Sequence, residues 1–464
     1  MRRNFILDVD SYKLSHAELY PSTLTKMFHY IESRGGKYRE TVFFGLQYYV
    51  QEYLAKPVTG FDIAEAEAFA AAHGEPFPKA AWERIISVHD GFLPVRIRAV
   101  PEGTVVPTRN VLVAIENTDP HLPWIGSWLE TSLLRAVWYP TTVATLSREC
   151  KKTILEYLIK SSDDPRGELP FKLHDFGARG VSSRESSGIG GMAHLVNFQG
   201  SDTIEGIRFA KYYYGAKMAG FSIPASEHSV MTIGGRHGEL GQMAHMLEKF
   251  GQPGKTFACV SDSYDIFHAV EQYWGEDLLE RVQKSGATVV IRPDSGDPAE
   301  TNLKLLQILE RKVGMRTNMK GFKVLPSCFR LIQGDGNDDE ESIGRVLHWL
   351  VSHGYSASNI AFGMGGGLLQ QVNRDTQRFA MKCSWAQVNG EGVDVYKEPV
   401  GDPSKASKRG LLDLVNKHGA LTTVHGGYSA RSELRLVYDN GIQPSPITFE
   451  EVRANAEKGM FDAA

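Results

Sequence analysis

Four glycines fall within five residues at Gly363-Met364-Gly365-Gly366-Gly367, followed by Leu368-Leu369-Gln370. Backbone N–H groups free of side chains can close around an anion, and a helix starting there adds its partial positive charge. This run exceeds what a tight turn needs and points to a phosphate. Arg374 is expected about two turns into the same helix. A dinucleotide fingerprint is excluded, since G-x-G-x-x-G requires glycine where Leu368 stands. Gly254-Lys255-Thr256 mimics the end of a P-loop, but Lys249 occupies the place of its first glycine. Arg292-Pro293-Asp294-Ser295-Gly296 sets a cation and an acid two residues apart. Arginine can hold phosphate or an amide oxygen, and aspartate can hold ribose hydroxyls or magnesium. The same spacing allows the two to pair with each other. His228, in Ala225-Ser226-Glu227-His228-Ser229, has no metal-ligand spacing around it, which argues against zinc. Lys397, Lys405, Lys408 and Arg409 form a basic stretch around Pro399 and Pro403. Such a stretch is ordinarily a solvated loop; it could instead reach an acidic ligand at a subunit boundary.

These groups need a scaffold, and the chain supplies a repeating one. From about residue 170 short apolar runs recur, each ending in polar or glycine-rich residues. They are Phe171-Lys172-Leu173 before His174-Asp175, 256–260 before Ser261-Asp262, 288–291 before Arg292, 329–332 before Gln333-Gly334-Asp335, and 359–362 before Gly363. Helical patterns follow several of them, which implies parallel strands with crossover helices. The polar groups then gather at the C-terminal strand ends, the face where α/β barrels build their sites. The first third reads as mixed, with a helix at 44–55, strands at 95–100 and 111–115, and helix over 124–160. Strands at 393–396 and 433–438 and a helix at 449–457 close the chain. Terminal strands cannot stand alone and are expected to fold back on the first part. The expected architecture is α/β: an irregular, TIM-like barrel over 166–376, inserted in a discontinuous α+β domain of 1–165 and 377–464 that contributes to dimerisation.

Bulk properties narrow the function. The chain has 464 residues, 42% hydrophobic and 23% charged, with net charge −4. No global field recruits nucleic acid or an anionic membrane, so an anionic ligand needs a local basic pocket. Cys150, Cys259, Cys328 and Cys383 form no C-x-x-C pair, which fits a reducing cytoplasm. No run of about 18 apolar residues suggests a spanning helix, and the N-terminal apolar run is too short for a signal peptide.

Taken in order, the motifs resemble the nicotinamide phosphoribosyltransferase family over nearly the whole chain. They are Asp10-Ser11-Tyr12-Lys13, His174-Asp175-Phe176-Gly177-Ala178-Arg179-Gly180, Gly200-Ser201-Asp202-Thr203, the His228 segment, Ser261-Asp262-Ser263-Tyr264-Asp265, the Arg292 segment, Gln333-Gly334-Asp335-Gly336, the glycine loop, Lys397 and Lys405. Departures are a short loop after Arg34, Met364 within the glycine loop, and Ala178 where an aromatic residue occurs elsewhere. The resemblance implies a cytoplasmic homodimer with shared active sites that makes nicotinamide mononucleotide from nicotinamide and phosphoribosyl pyrophosphate, in NAD salvage. It implies that Phe176 and the partner chain's Tyr12 sandwich the pyridine ring. Asp202 and Arg292 would hold the carboxamide, and Asp294, Gly334 and Asp335 the ribose. Gly365, Gly366 and Arg374 would hold the 5′-phosphate. Arg179, His228, Arg292, Asp10, Lys397 and Lys405 would surround the pyrophosphate. Asp265 and Asp294 would contact Mg2+, and ATP would transiently phosphorylate His228. Three further readings stand beside it: a nicotinate-using relative, disfavoured by the charge of Asp202, a signalling or binding protein that kept the fold without catalysis, and an unrelated phosphate-binding lyase or isomerase.

Overall fold

The structure is a computed structural model and describes residues 4–401 and 406–461. Contacts divide the chain into two compact units, one of Met1–Thr145, Ala210–Ala216 and Asn373–Ala456, the other of Leu146–Phe209, Lys217–Val372 and Glu457–Ala464. Residues 146–165, expected with the chain ends, thus lie with the second unit, and 210–216 with the first.

The second unit holds six parallel strands: β1 (Leu173–Asp175), β2 (Gly200–Ser201), β3 (Thr256–Val260), β4 (Thr288–Arg292), β5 (Phe329–Gln333) and β6 (Ile360–Met364). Their spatial order is β2-β1-β6-β5-β4-β3. Short runs rich in β-branched and aromatic residues, buried through most of their length, make β3 to β6; in β3, Phe257 to Val260 are all buried. The sheet curls. The segment between Phe221 and Ala225 joins its two edges by one bridge on each side, Phe221 to Gly200 and Ala225 to Ala258. Six laddered strands, not eight, form the sheet, so its correspondence to a (β/α)8 barrel is partial.

Helices α1 (Arg184–His194), α2 (Glu239–Phe250), α3 (Pro298–Val313), α4 (Glu340–Ser352) and α5 (Gly366–Leu369) alternate with these strands. Local chemistry sets where they start. Asp297 accepts from the N–H groups of Ala299 and Glu300, with Pro298 in the first turn of α3. Asp339 and Ser342 form a capping box for α4, which buries Ile343, Val346, Leu347, Leu350 and Val351 on one face. The first strand differs from expectation. Leu169–Phe171 is a 3-10 turn, because Pro170 has no N–H for a ladder, and pairing begins where Leu173 meets Phe362.

The other unit carries a six-stranded antiparallel sheet of residues 391–394, 379–388, 24–33, 111–117, 95–99 and 435–439, in that order. Leu24–Ser33 pairs with Phe379–Val388 over most of its length, so both parts of the chain share one sheet. Trp82 packs edge to face with both Trp124 and Trp128 in its core, with Trp82 and Trp128 centroids 5.2 Å apart. The expected helix at 44–55 is a turn of α-helix (Leu46–Tyr49) continued by a π-helical segment (Val50–Leu54). No helix among the described residues is long and apolar enough to cross a membrane.

Candidate active site

At the C-terminal end of β1 the chain turns sharply through Phe176 and Gly177. The Phe176 N–H donates to the Met364 carbonyl at 2.9 Å, which lays the ring across the end of β6. Gly363 lies directly against that ring: a Cβ there would come within 3.0 Å of three ring atoms. The Arg292 guanidinium stands 5.1 Å from the ring centroid, a cation–π contact, and the His174 ring 5.2 Å away. Asp175 anchors the turn from below, accepting from the Gly177 N–H at 2.7 Å. Its side chain is fully buried, and burial pushes its pKa up to about 6 against that hydrogen bond. A raised folded pKa favours the fold most below about pH 4, where both states are protonated, and that contribution is lost as pH rises through 6. Asp175→Asn is therefore expected to flatten the decline in Tm between pH 4 and 7; a parent-to-variant difference that stays constant over that range would sink the assignment.

Asp202 follows β2. One of its oxygens, Oδ1, is 2.9 Å from His174 Nε2 and accepts from the Ser222 hydroxyl at 2.5 Å. Burial alone would raise this carboxyl's pKa. The two hydrogen bonds, with the charge of Arg292 behind them, outweigh burial and hold it below the ordinary carboxylate range. With 47% of its side chain exposed, Asp202 is an accessible, ionised acceptor. Arg292 and Asp294 do pair with each other, Nη2 to Oδ1 at 3.0 Å and Nε to Oδ1 at 3.3 Å. Gly334 donates its N–H to the Pro293 carbonyl at 3.2 Å, which ties the end of β5 to this pair. Asp335 is exposed beside it, and its carbonyl accepts from Gln333. A cavity of about 450 Å3 in the same unit is lined by His174, Phe171, Phe221, Ser222, Val290 and Arg330 among others.

His228 begins the short helix His228–Thr232. Its Nε2 lies 3.1 Å from Oδ1 of Asp262, whose side chain is only 4% exposed. The other Asp262 oxygen accepts from the Asp294 N–H at 3.0 Å and the Ser295 hydroxyl at 2.7 Å. Asp262 thus couples the histidine to the Arg292–Ser295 loop, a role the sequence reading did not assign. The signal was present: Asp262 stands two residues past β3, as Asp294 stands two past β4. Gly366 has open space where a Cβ would be, and Gly180, ending the 3-10 turn that carries exposed Arg179, lies against it.

Arg374 is a correction. The helix after the glycine loop ends at Leu369, after one turn, because a Gly-Gly start gives it poor propensity. Arg374 sits on a separate 3-10 turn capped by Asn373, in the other unit, with its guanidinium 2.9 Å from Asp375. That unit also carries Asp10, Tyr12 and Lys397. Tyr12 is 54% exposed. Asp10 accepts from the Thr131 hydroxyl at 2.7 Å, and buried Lys13 pairs with Glu130 at 2.7 Å, fixing the segment that presents Tyr12. In the basic stretch Lys408 pairs with Glu32 and Arg409 stacks on Tyr396, while Lys397 is exposed. Lys405 lies outside the described residues. Asp265 spends Oδ1 on capping the helix that starts at Ile266, and Asp294 gives Oδ1 to Arg292. Among the described residues no three His, Cys, Asp or Glu side chains converge as a metal cage. The oxygens these bonds leave over, Oδ2 of Asp265 and Oδ2 of Asp294, are of the hard donor type that magnesium takes.

Residues 171–442 match the model of the nicotinate phosphoribosyltransferase family, and 4–97 match that of the nicotinamide phosphoribosyltransferase N-terminal domain. The chain is 50% identical over 463 residues to a nicotinamide phosphoribosyltransferase of Xanthomonas campestris pv. campestris (strain 8004), covering 98% of each chain. It is 30% identical to one of Acinetobacter baylyi (strain ATCC 33305 / BD413 / ADP1), covering 97% of each. The structure resembles that of nicotinate-nucleotide pyrophosphorylase from Pyrococcus furiosus with a TM-score of 0.62 over 99% of both chains, at 13% identity, a likeness of fold.

Proposed function

The chain belongs to the nicotinate phosphoribosyltransferase family, whose members are pentosyltransferases, and from that premise we propose that it joins nicotinamide to phosphoribosyl pyrophosphate, giving nicotinamide mononucleotide and pyrophosphate for NAD salvage. The observation that carries the choice of base is Asp202: an ionised, accessible carboxylate accepts from a carboxamide NH2 and repels a nicotinate carboxylate. Phe176 offers one flat face to the pyridine ring, and Tyr12 of the partner subunit the other. Arg292 donates to the carboxamide oxygen. Asp294, Gly334 and Asp335 hold the ribose, and Gly365 and Gly366 the 5′-phosphate.

The bond-making step needs no general base. The pyridine nitrogen attacks C1 with its own lone pair as the C1–O bond to pyrophosphate breaks. Arg179, with Lys397 and Lys405 from the partner subunit of a homodimer, neutralises the leaving group. Asp265 and Asp294 would hold a magnesium ion, which supplies further charge neutralisation when bound. Nearby carboxylates stabilise positive charge developing on the ribose. His228, oriented by Asp262, takes a phosphoryl group from ATP and couples its hydrolysis to synthesis. Four cysteines without a disulfide among them support a cytoplasmic, reducing setting.

The test is mononucleotide formation from phosphoribosyl pyrophosphate, magnesium and either base. Nicotinamide is expected to be used far better than nicotinate. Asp202→Ser should lower that preference tenfold or more, since a hydrogen bond to a charged group is worth roughly 1.5–3 kcal/mol. Preference for nicotinate in the parent, or an unchanged ratio in the variant, would overturn the reading of Asp202.

A further inference from the structure

We propose that His174 and Ser222 are positioning residues for base choice, which they set by saturating one oxygen of Asp202 so that only the other meets the incoming base; this rests on the reading of Asp202 given above. Three neighbouring segments meet at this carboxylate. His174 comes from β1, Asp202 follows β2, and Ser222 stands in the segment bridging the sheet edges. Both donors converge on Oδ1, at 2.9 and 2.5 Å. No described residue hydrogen-bonds to Oδ2. An ionised carboxylate only accepts, so His174 must carry its proton on Nε2. Nδ1 of the ring lies toward the backbone of Gly200, where a Cβ would come 2.6 Å from that nitrogen. Gly200 pairs with His174 in the ladder, so the glycine that opens Gly200-Ser201-Asp202 makes room for the ring that orients the aspartate.

The consequence is directional. With Oδ1 fully engaged, the carboxylate cannot rotate to share its charge with a ligand through both oxygens. What remains is a single acceptor, which an amide N–H satisfies and a carboxylate cannot. Losing either donor frees the half-exposed side chain to turn. Nicotinamide use should then fall without a matching fall for nicotinate.

The experiment measures kcat/KM for both bases in His174→Leu, His174→Gln, Ser222→Ala and Asp202→Ser, each also combined with Asp202→Ser where possible. His174→Leu and Ser222→Ala are expected to lower the nicotinamide-to-nicotinate ratio roughly tenfold through the nicotinamide KM, with the KM for phosphoribosyl pyrophosphate unchanged. His174→Gln, which keeps an N–H donor, should recover most of the ratio. In the Asp202→Ser background neither substitution should move the ratio further, because the group they orient is gone. A purely structural role would lower use of both bases together and raise both KM values. If Asp202→Ser shifts the ratio while His174→Leu and Ser222→Ala do not, the positioning role is wrong and the reading of Asp202 stands. If Asp202→Ser leaves the ratio unchanged, that reading falls and the inference with it. Should His174→Leu fail to fold, Ser222→Ala alone decides.

Discussion

His228→Ala is expected to abolish ATP hydrolysis and the acid-labile phosphate carried by the chain, while slow mononucleotide synthesis without ATP persists. The split follows from the chemistry. The pyridine nitrogen, phosphoribosyl pyrophosphate and magnesium suffice for the new bond, whereas phosphoryl transfer from ATP needs a nucleophile. His228 is exposed enough to meet a ligand, yet its Nε2 is fixed on Asp262, a carboxylate with 4% of its side chain exposed. In this orientation Nδ1 is the nitrogen left to attack, and Asp262 steadies the positive charge the ring gains when it does. Incubation with γ-labelled ATP, followed by mild acid, reads the phosphate directly, and synthesis with and without ATP reads the coupling. Asp262→Asn should label more slowly than the parent. Equal labelling of parent and His228→Ala would place the phosphate elsewhere. Unchanged ATP stimulation in a folded variant would make the histidine structural.

A single methyl group on Gly363 is expected to cost nearly as much as removing the ring of Phe176. The added Cβ would overlap the ring, which the Phe176 N–H, bonded to the Met364 carbonyl, holds against Gly363. A displaced ring no longer offers a face to the base. Stacking of a flat heterocycle on an aromatic side chain is worth about 1–3 kcal/mol, or roughly 5–150-fold in kcat/KM for nicotinamide. The double variant Gly363→Ala with Phe176→Ala should be no worse than Phe176→Ala alone, since the methyl then has room. Parent-like efficiency in Gly363→Ala, or losses that simply add, would show that the ring's placement does not matter to the base.

Much of this site was legible in the sequence because its residues sit at strand ends. A polar residue after a short apolar run marks the end of a parallel strand, and Arg292, Gly334 and the glycine loop were found that way, whereas Asp202 entered only through the family resemblance. Less legible was what those residues touch. His174 and Asp202 are 28 positions apart, and His228 and Asp262 34, so no local spacing announces either pair. Each pair meets because two successive extended segments lie side by side with a helix looped out between them: β1 beside β2 around α1, and Ala225 bridged to Ala258 of β3 around α2. Arg374 shows the opposite error. Helical continuity was assumed beyond Leu369, where two glycines at the start and Asn373 as a new cap ended it. The first strand was placed two residues early because an apolar run was read without regard to Pro170.

The segment from Phe221 to Ala225 laces the curled sheet shut with one bridge to each edge, where every other junction is a continuous ladder. Amide protons along this seam should therefore exchange with deuterium sooner than those of the laddered strands, since opening it costs the fewest hydrogen bonds. Ser222 stands on that seam, so the residue proposed to steady Asp202 lies on the part of the sheet joined by single bridges. Accepting a different base would then require only a local parting at 221–225, with the six laddered strands left intact.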